Sequence, residues 1–237
     1  CYEASQKTLE NSLNFYPYSS NLLPEKVKSK ITNHFFLDFG CGAGFFTRQL
    51  DALCQKVIGV DVDKSGLDSL RQDNIEAYEG DVEFAKTLKF QSLSLVGVIE
   101  HFEDPFKELK KLLNCMPSKK SAVLIYYPNT SSSSIFFENF SSHSWDMFLE
   151  PGHLVFPNKK SLIQFMKKFD YECLKYWTST NISRGKLPFM FQRNPNFEYS
   201  IRKLLNSSKI FRFIYLSMYR IIDFFKLGDI DCFLFYK

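Results

Sequence analysis

The sequence predicts an α/β fold in which an open, mostly parallel sheet is covered on both faces by helices. Three observations carry that expectation. Short, continuously apolar runs alternate with helical patterns, as strands buried on both faces must. The first run ends in Asp38-Phe39-Gly40-Cys41-Gly42-Ala43-Gly44, an acid followed by three glycines at every second position. The second, Lys56-Val57-Ile58-Gly59-Val60-Asp61, also ends in an acid, 21 positions after Gly40.

Taken in order, strands are expected near 35–39, 57–61, 75–79, 93–98 and 121–127, with helices between them near 45–54, 64–73 and 105–114. Pro105 after Asp104 suits a helix start, since proline at the first helical position gives up an amide that has no partner there. Residues 161–169 read as another helix and 171–178 as a sixth strand; Asp231–Tyr236 reads as the last strand. The expected organisation is an N-terminal arm (1–34), a core (35–180) with a lid-like insertion at 128–157, a mostly helical insertion (181–228) and a terminal strand of the core (229–237).

A chain of 237 residues with 45% apolar content can bury one full core and is too short for two large ones. Its six cysteines are scattered, without a Cys-x-x-Cys pair or a Cys/His group, which reads as reduced thiols and a cytoplasmic protein. The first residues are polar and mixed, without the charged-then-apolar order of a secretory leader. The net charge of +4 is modest and only seven of thirty basic residues are arginine, so nucleic acid is not an expected partner.

The glycine turn dictates chemistry. Glycine lacks a Cβ, so a ligand can touch the main chain there, and the following helix turns unpaired N–H groups toward it, which suits a carboxylate. Asp38 beside the turn suits an ammonium. Both charges together fit an amino-acid-like ligand better than a pyrophosphate. The dinucleotide pattern Gly-x-Gly-x-x-Gly would need glycine where Phe45 or Thr47 stands, which disfavours a nicotinamide-dependent oxidoreductase. Asp61, at a strand's carboxyl end, can accept from both hydroxyls of a ribose. Asp81, after Gly80, can accept from an exocyclic adenine amine or serve as an ordinary turn residue.

These residues resemble the class I S-adenosylmethionine-dependent methyltransferases. The resemblance rests on Leu37–Gly44, Gly59-Val60-Asp61, Gly80-Asp81 and Val98–Pro105, then Tyr127-Pro128-Asn129, Trp145, Pro151–Leu154 and Ser161–Ile163. The later motifs are similar to the small-molecule branch, which includes quinone-biosynthesis O-methyltransferases. The resemblance implies a Rossmann-like, doubly wound sheet of seven strands, the last antiparallel between the fifth and sixth. It implies S-adenosyl-L-methionine as cofactor, S-adenosyl-L-homocysteine as product, and a small-molecule or carrier-bound acceptor methylated at oxygen or nitrogen. Asp38, Gly40, Cys41, Gly42 and Gly44 would then hold the methionine end, Asp61 the ribose, Val62, Asp81 and Val82 the adenine, and Ile99 would face the reaction centre. The chain departs from the family pattern at Gln91, Gly97 and Asp170, which bears on the substrate subfamily and not on the cofactor. A protein that keeps the fold and serves only as a binding module is the alternative.

An acceptor that loses a proton invites a base titrating near neutrality, and histidine does so unperturbed. His101, after the fourth strand, is the first candidate, and its alternative is support of the loop. His153 on the lid-like insertion is the second, and Glu100 could orient either. One carboxylate without a second evident ligand gives no expectation of a metal. His143, Trp145, His153 and Phe156 are the expected substrate-facing residues, with Trp145 and Phe156 equally suited to anchoring the loop. His34 is expected to be structural. Finally, Ile210–Phe225 is a helix with a broad apolar face and too few residues to span a membrane. The surfaces that could cover it are, in order, the protein's own sheet, a second copy (homodimerisation through 198–226) and a membrane surface contacted peripherally, with an apolar substrate as a further alternative.

Overall fold

In the computed structural model, residues 23–117, 119–133, 135, 152–179 and 207–237 are described. His143, Trp145, and the larger parts of the expected arm and lid-like insertion lie outside them.

Seven strands form one sheet: β1 (Phe35–Phe39), β2 (Lys56–Asp61), β3 (Glu76–Glu79), β4 (Ser92–Val96), β5 (Ala122–Pro128), β6 (Glu172–Ser179) and β7 (Ile230–Tyr236), in spatial order 3-2-1-4-5-7-6. β1 pairs in parallel with β2 and β4, β2 with β3, and β4 with β5. β7 runs against β5: Ser121 and Lys237 exchange amide hydrogen bonds at one end of the pair, while the Asn129 amide donates to the Asp229 carbonyl at the other. β1, β4 and β5 are buried along almost their whole length; β5 is apolar without alternation, whereas β4 alternates Ser92, Leu93, Ser94, Leu95 and buries its hydroxyls as well.

Among the described residues the α-helices are α1 (Glu25–Ile31), α2 (Phe45–Asp51), α3 (Leu67–Gln72), α4 (Val82–Ala85), α5 (Pro105–Leu113), α6 (Lys159–Lys167) and α7 (Lys209–Phe224). α1 lies in the expected arm and buries Val27 and Ile31 completely. Asp104 caps α5 by accepting from the Lys107 amide, with Pro105 in the first turn, and Asn158 caps α6 in the same manner. Asp170 takes the left-handed conformation (φ 63°) that ends the segment after α6. No helix among the described residues is long and apolar enough to cross a membrane.

The chain divides into two compact units. The larger, Leu23–Tyr127 with Gly152–Tyr176 and Cys232–Lys237, contains the candidate site. The other includes α7, whose C-terminal end is anchored within that unit: Thr178 Oγ1 donates to the Asp223 carbonyl and Asn129 Nδ2 to those of Lys226 and Gly228.

Candidate functional site

The site is built at the carboxyl ends of the parallel strands. β1 runs into a loop whose three glycines all have positive φ: Gly40 72°, Gly42 52°, Gly44 79°. They do different work. A Cβ on Gly40 would lie 2.2 Å from Val98 Cγ2, and one on Gly44 2.2 Å from Leu70 Cδ2, so both are required for packing. A Cβ on Gly42 would meet nothing within 4 Å. Gly42 alone faces open space, and that is where bare main chain is exposed to a ligand. Gly44→Ala is therefore expected to cost about 2–4 kcal/mol in urea unfolding, from left-handed strain plus overpacking against the buried Leu70. Gly42→Ala should cost only about 1 kcal/mol while weakening whatever ligand the loop holds.

Asp61 at the tip of β2 ties the loop down. Its Oδ2 accepts from the Gly42 amide at 2.7 Å and its Oδ1 from the Asp63 amide at 2.8 Å, leaving further lone pairs toward solvent on a half-buried carboxylate. Gly66 closes the other side of the loop; a Cβ there would lie 2.3 Å from the Gly42 carbonyl oxygen. Arg48 on α2 completes the brace, donating to the Ala43 carbonyl (2.7 Å), Ser69 Oγ (2.8 Å) and Asp73 Oδ2 (2.6 Å). No side chain caps the start of α2.

Asp38 sits beneath this loop, 1% exposed. It is not at an open surface where it would meet an ammonium directly. Oδ1 accepts from Ser94 Oγ (2.6 Å) and Oδ2 from Thr47 Oγ1 (2.7 Å), so the carboxyl joins β1, β4 and α2 under the glycines. Burial raises its pKa to about 6; the Ser94 and Thr47 hydroxyls oppose that rise, and the Asp61 charge adds to it. Since this acid holds its proton more tightly folded than unfolded, the cost of ionising it is absent below about pH 3.8 and complete above about pH 6. Stability should fall by about 3 kcal/mol across that window on its account. Asp38→Asn should lack this component, and urea unfolding of both proteins at pH 4.5 and 7 measures the difference.

Around the rim, Val62 is 70% exposed at the end of β2. Asp81 is exposed and caps α4, accepting from the Phe84 amide at 2.9 Å, so the turn-residue expectation holds for one of its oxygens. Val82 and Ile99 are buried in the core. The Cys41 thiol is buried, and desolvation pushes its pKa well above the usual range, so it is chemically inert.

The three catalytic candidates converge after β4, although His101 and His153 are 52 positions apart. The Leu154 and Val155 amides both donate to the Glu100 carbonyl (2.8 and 3.2 Å), laying the end of the lid-like insertion along the short 3-10 turn Ile99–His101. His153 Nε2 stands 4.0 Å from Glu100 Oε1, both side chains being buried. The His101 and His153 rings meet edge to face at 4.7 Å, and Phe156 abuts His153. His101 Nδ1 lies 2.9 Å from the Gly152 carbonyl oxygen. A carbonyl only accepts, so Nδ1 carries the proton and Nε2 is left with its lone pair. Partial burial lowers the His101 pKa; the Gly152 carbonyl opposes this and the His153 ring adds to it. Ligand atoms of Glu100, His101 and His153 all lie within 4.8 Å of one another, a grouping of three possible donors that the sequence did not suggest. Donors on one tetrahedral ion stand closer, about 3.3 Å apart for bonds near 2 Å, so these side chains would have to draw together.

His34 is buried, its Nδ1 2.6 Å from Ser92 Oγ, remote from these groups in role. Thr47, Ser94, Arg48 and Gly66 escaped the sequence reading. Ser94 could have been found as one of two hydroxyls, with Ser92, on the same face of a buried strand; for Arg48 and Gly66 the sequence carries no signal.

A family profile described as a methyltransferase domain matches residues 20–176. Among curated protein sequences none matches. Solved structures share the fold. A SAM dependent methyltransferase from Archaeoglobus fulgidus superposes with a TM-score of 0.54 at 18% identity, over 100% of this chain and 95% of that one. The plantazolicin methyltransferase BpumL in complex with SAH gives 0.56 at 18%, over 98% and 90%. Magnesium protoporphyrin IX methyltransferase from Synechocystis PCC 6803 with bound SAH gives 0.52 at 14%, over 74% and 81%.

Proposed function

The chain belongs to the methyltransferase-domain family, within the class I S-adenosylmethionine-dependent superfamily, and on that premise we propose that it methylates an oxygen or nitrogen of a small-molecule or carrier-bound acceptor. The observation that carries this reading is the pairing of Gly42 with Asp61. An open stretch of main chain is held by an acid that still has lone pairs for two vicinal hydroxyls.

S-adenosylmethionine, when bound, supplies a methyl group on a sulfonium that is already a strong electrophile. What remains for the protein is to bind, align and remove a proton. The loop at Gly40–Gly44 and Asp61 hold the amino-acid and ribose parts. Val62 offers an exposed apolar surface and Asp81 an acceptor for the base. Beneath the loop, Asp38 adds negative charge under the positive end of the ligand. His101 Nε2 takes the acceptor's proton, its tautomer held by the Gly152 carbonyl. Glu100 and His153 hold that ring in place from behind. The structural relatives bound to SAH are consistent with this cofactor; their own acceptors differ from one another.

The test is isothermal titration of the chain with S-adenosylhomocysteine, then release of that product from S-adenosylmethionine with pools of hydroxylated and amine-bearing metabolites. Micromolar binding and acceptor-dependent release are expected. Binding without release for any acceptor would favour the interaction-module alternative, and absence of binding at millimolar ligand would overturn the cofactor assignment.

A further inference from the structure

α7 presents its strongest apolar face outward. Ile210, Phe213, Ile214, Ile221, Phe224 and Phe225 are each between 53% and 76% exposed. At 100° per residue they fall within a sector about 120° wide, with Ser217 on the same stripe. No charged residue interrupts the sector; Arg220 flanks it.

We propose that this face pairs with the same face of a second copy, the two α7 helices crossing antiparallel at Ser217. Four of the six residues lie symmetrically about that serine, Phe213 and Ile221 four positions away and Ile210 and Phe224 seven. A two-fold axis through Ser217 therefore sets Phe213 against Ile221 and Ile210 against Phe224, an aromatic against an aliphatic side chain each time, as a self-complementary interface allows. The crossing point carries the smallest side chain of the stripe, which lets two backbones approach. Its hydroxyl needs nothing from water, because Ser217 Oγ already donates to the Phe213 carbonyl at 2.8 Å. The area also suffices: six such side chains at these exposures offer about 700 Å², near the ~800 Å² per partner of a standard interface. Three phenylalanines in an uncharged patch match the composition of interface centres. A lipid surface fits less well, since it would favour basic residues along both margins and gives no reason for the symmetry about Ser217.

Sedimentation equilibrium of the chain at about 1–50 μM tests the proposal, with Phe213→Glu/Phe224→Glu as the variant. Both positions are exposed, so the variant should keep the far-UV circular dichroism and melting temperature of a folded chain. A wild-type dimer and a variant whose dissociation constant rises at least a hundredfold are expected. Ser217→Cys should form an intermolecular disulfide under mild oxidation that the unsubstituted chain, carrying its own cysteines, does not. A monomeric wild type overturns the proposal, as does a dimer insensitive to the variant. A wild-type monomer that sediments with phosphatidylcholine/phosphatidylserine vesicles would assign the face to lipid and overturn it equally.

Discussion

Asp61→Ala is expected to weaken S-adenosylhomocysteine binding by two to three orders of magnitude while leaving the fold intact. The substitution removes two things at once. The Gly42 amide loses its 2.7 Å acceptor, so the open main chain there is held to β2 only through the Gly40 and Cys41 amides on the Val60 carbonyl. The ligand also loses a charged acceptor for its ribose. Hydrogen bonds to a charged group contribute about 1.5–3 kcal/mol each, and on a partly solvated carboxylate the low end applies, so losing the equivalent of two costs about 3–4 kcal/mol, or roughly a hundredfold to a thousandfold in affinity. Stability should change by no more than about 1 kcal/mol, because the carboxylate is partly solvated. Asp63→Ala is the matched control: Asp63 accepts from the Ser65 amide on an exposed turn and faces no glycine. Titration calorimetry on both variants, with urea unfolding alongside, separates binding from folding. Equal losses in the two variants would mean that Asp61 has no special part in the site.

The scaffold was legible because its signals are local. β1 and β2 are largely apolar runs closed by glycine or an acid, β5 is an unbroken apolar run, and Asp104-Pro105 marks a helix start in two residues. The insertion of β7 between β5 and β6 came from resemblance, not periodicity; nothing in Asp231–Tyr236 states its neighbours. What the sequence could not show depends on residues brought together from afar. That Ser94, 56 positions away, donates to one oxygen of Asp38 from the next strand has no local signal. The approach of His153 to Glu100 had no local signal either: the amides of Leu154 and Val155 bring the two together across more than fifty positions. The period of α7 was readable, but which way its apolar stripe faces is decided by the anchors at Thr178 and Asn129.

His101→Ala should reduce turnover by about a hundredfold to ten-thousandfold, the range for removing a positioned base, with affinity for S-adenosylhomocysteine unchanged. The pH profile distinguishes a base from a residue that only supports the loop. Partial burial and the His153 ring hold the His101 pKa below its ordinary value, and the neutral form is the active one. In the wild type, kcat/KM should therefore rise with pH through a midpoint below about 6.5 and then level off. His101→Ala should lose that acidic limb. His153→Ala removes a group that disfavours charge on His101, so its limb should move to higher pH while the plateau stays within about tenfold of wild type. If His153→Ala abolishes the limb instead, and His101→Ala merely shifts it, the two histidines exchange roles, and the buried one beside Glu100 becomes the proton acceptor. An unchanged profile in both variants would remove histidine from the chemistry and leave alignment against the methyl group as the protein's whole contribution.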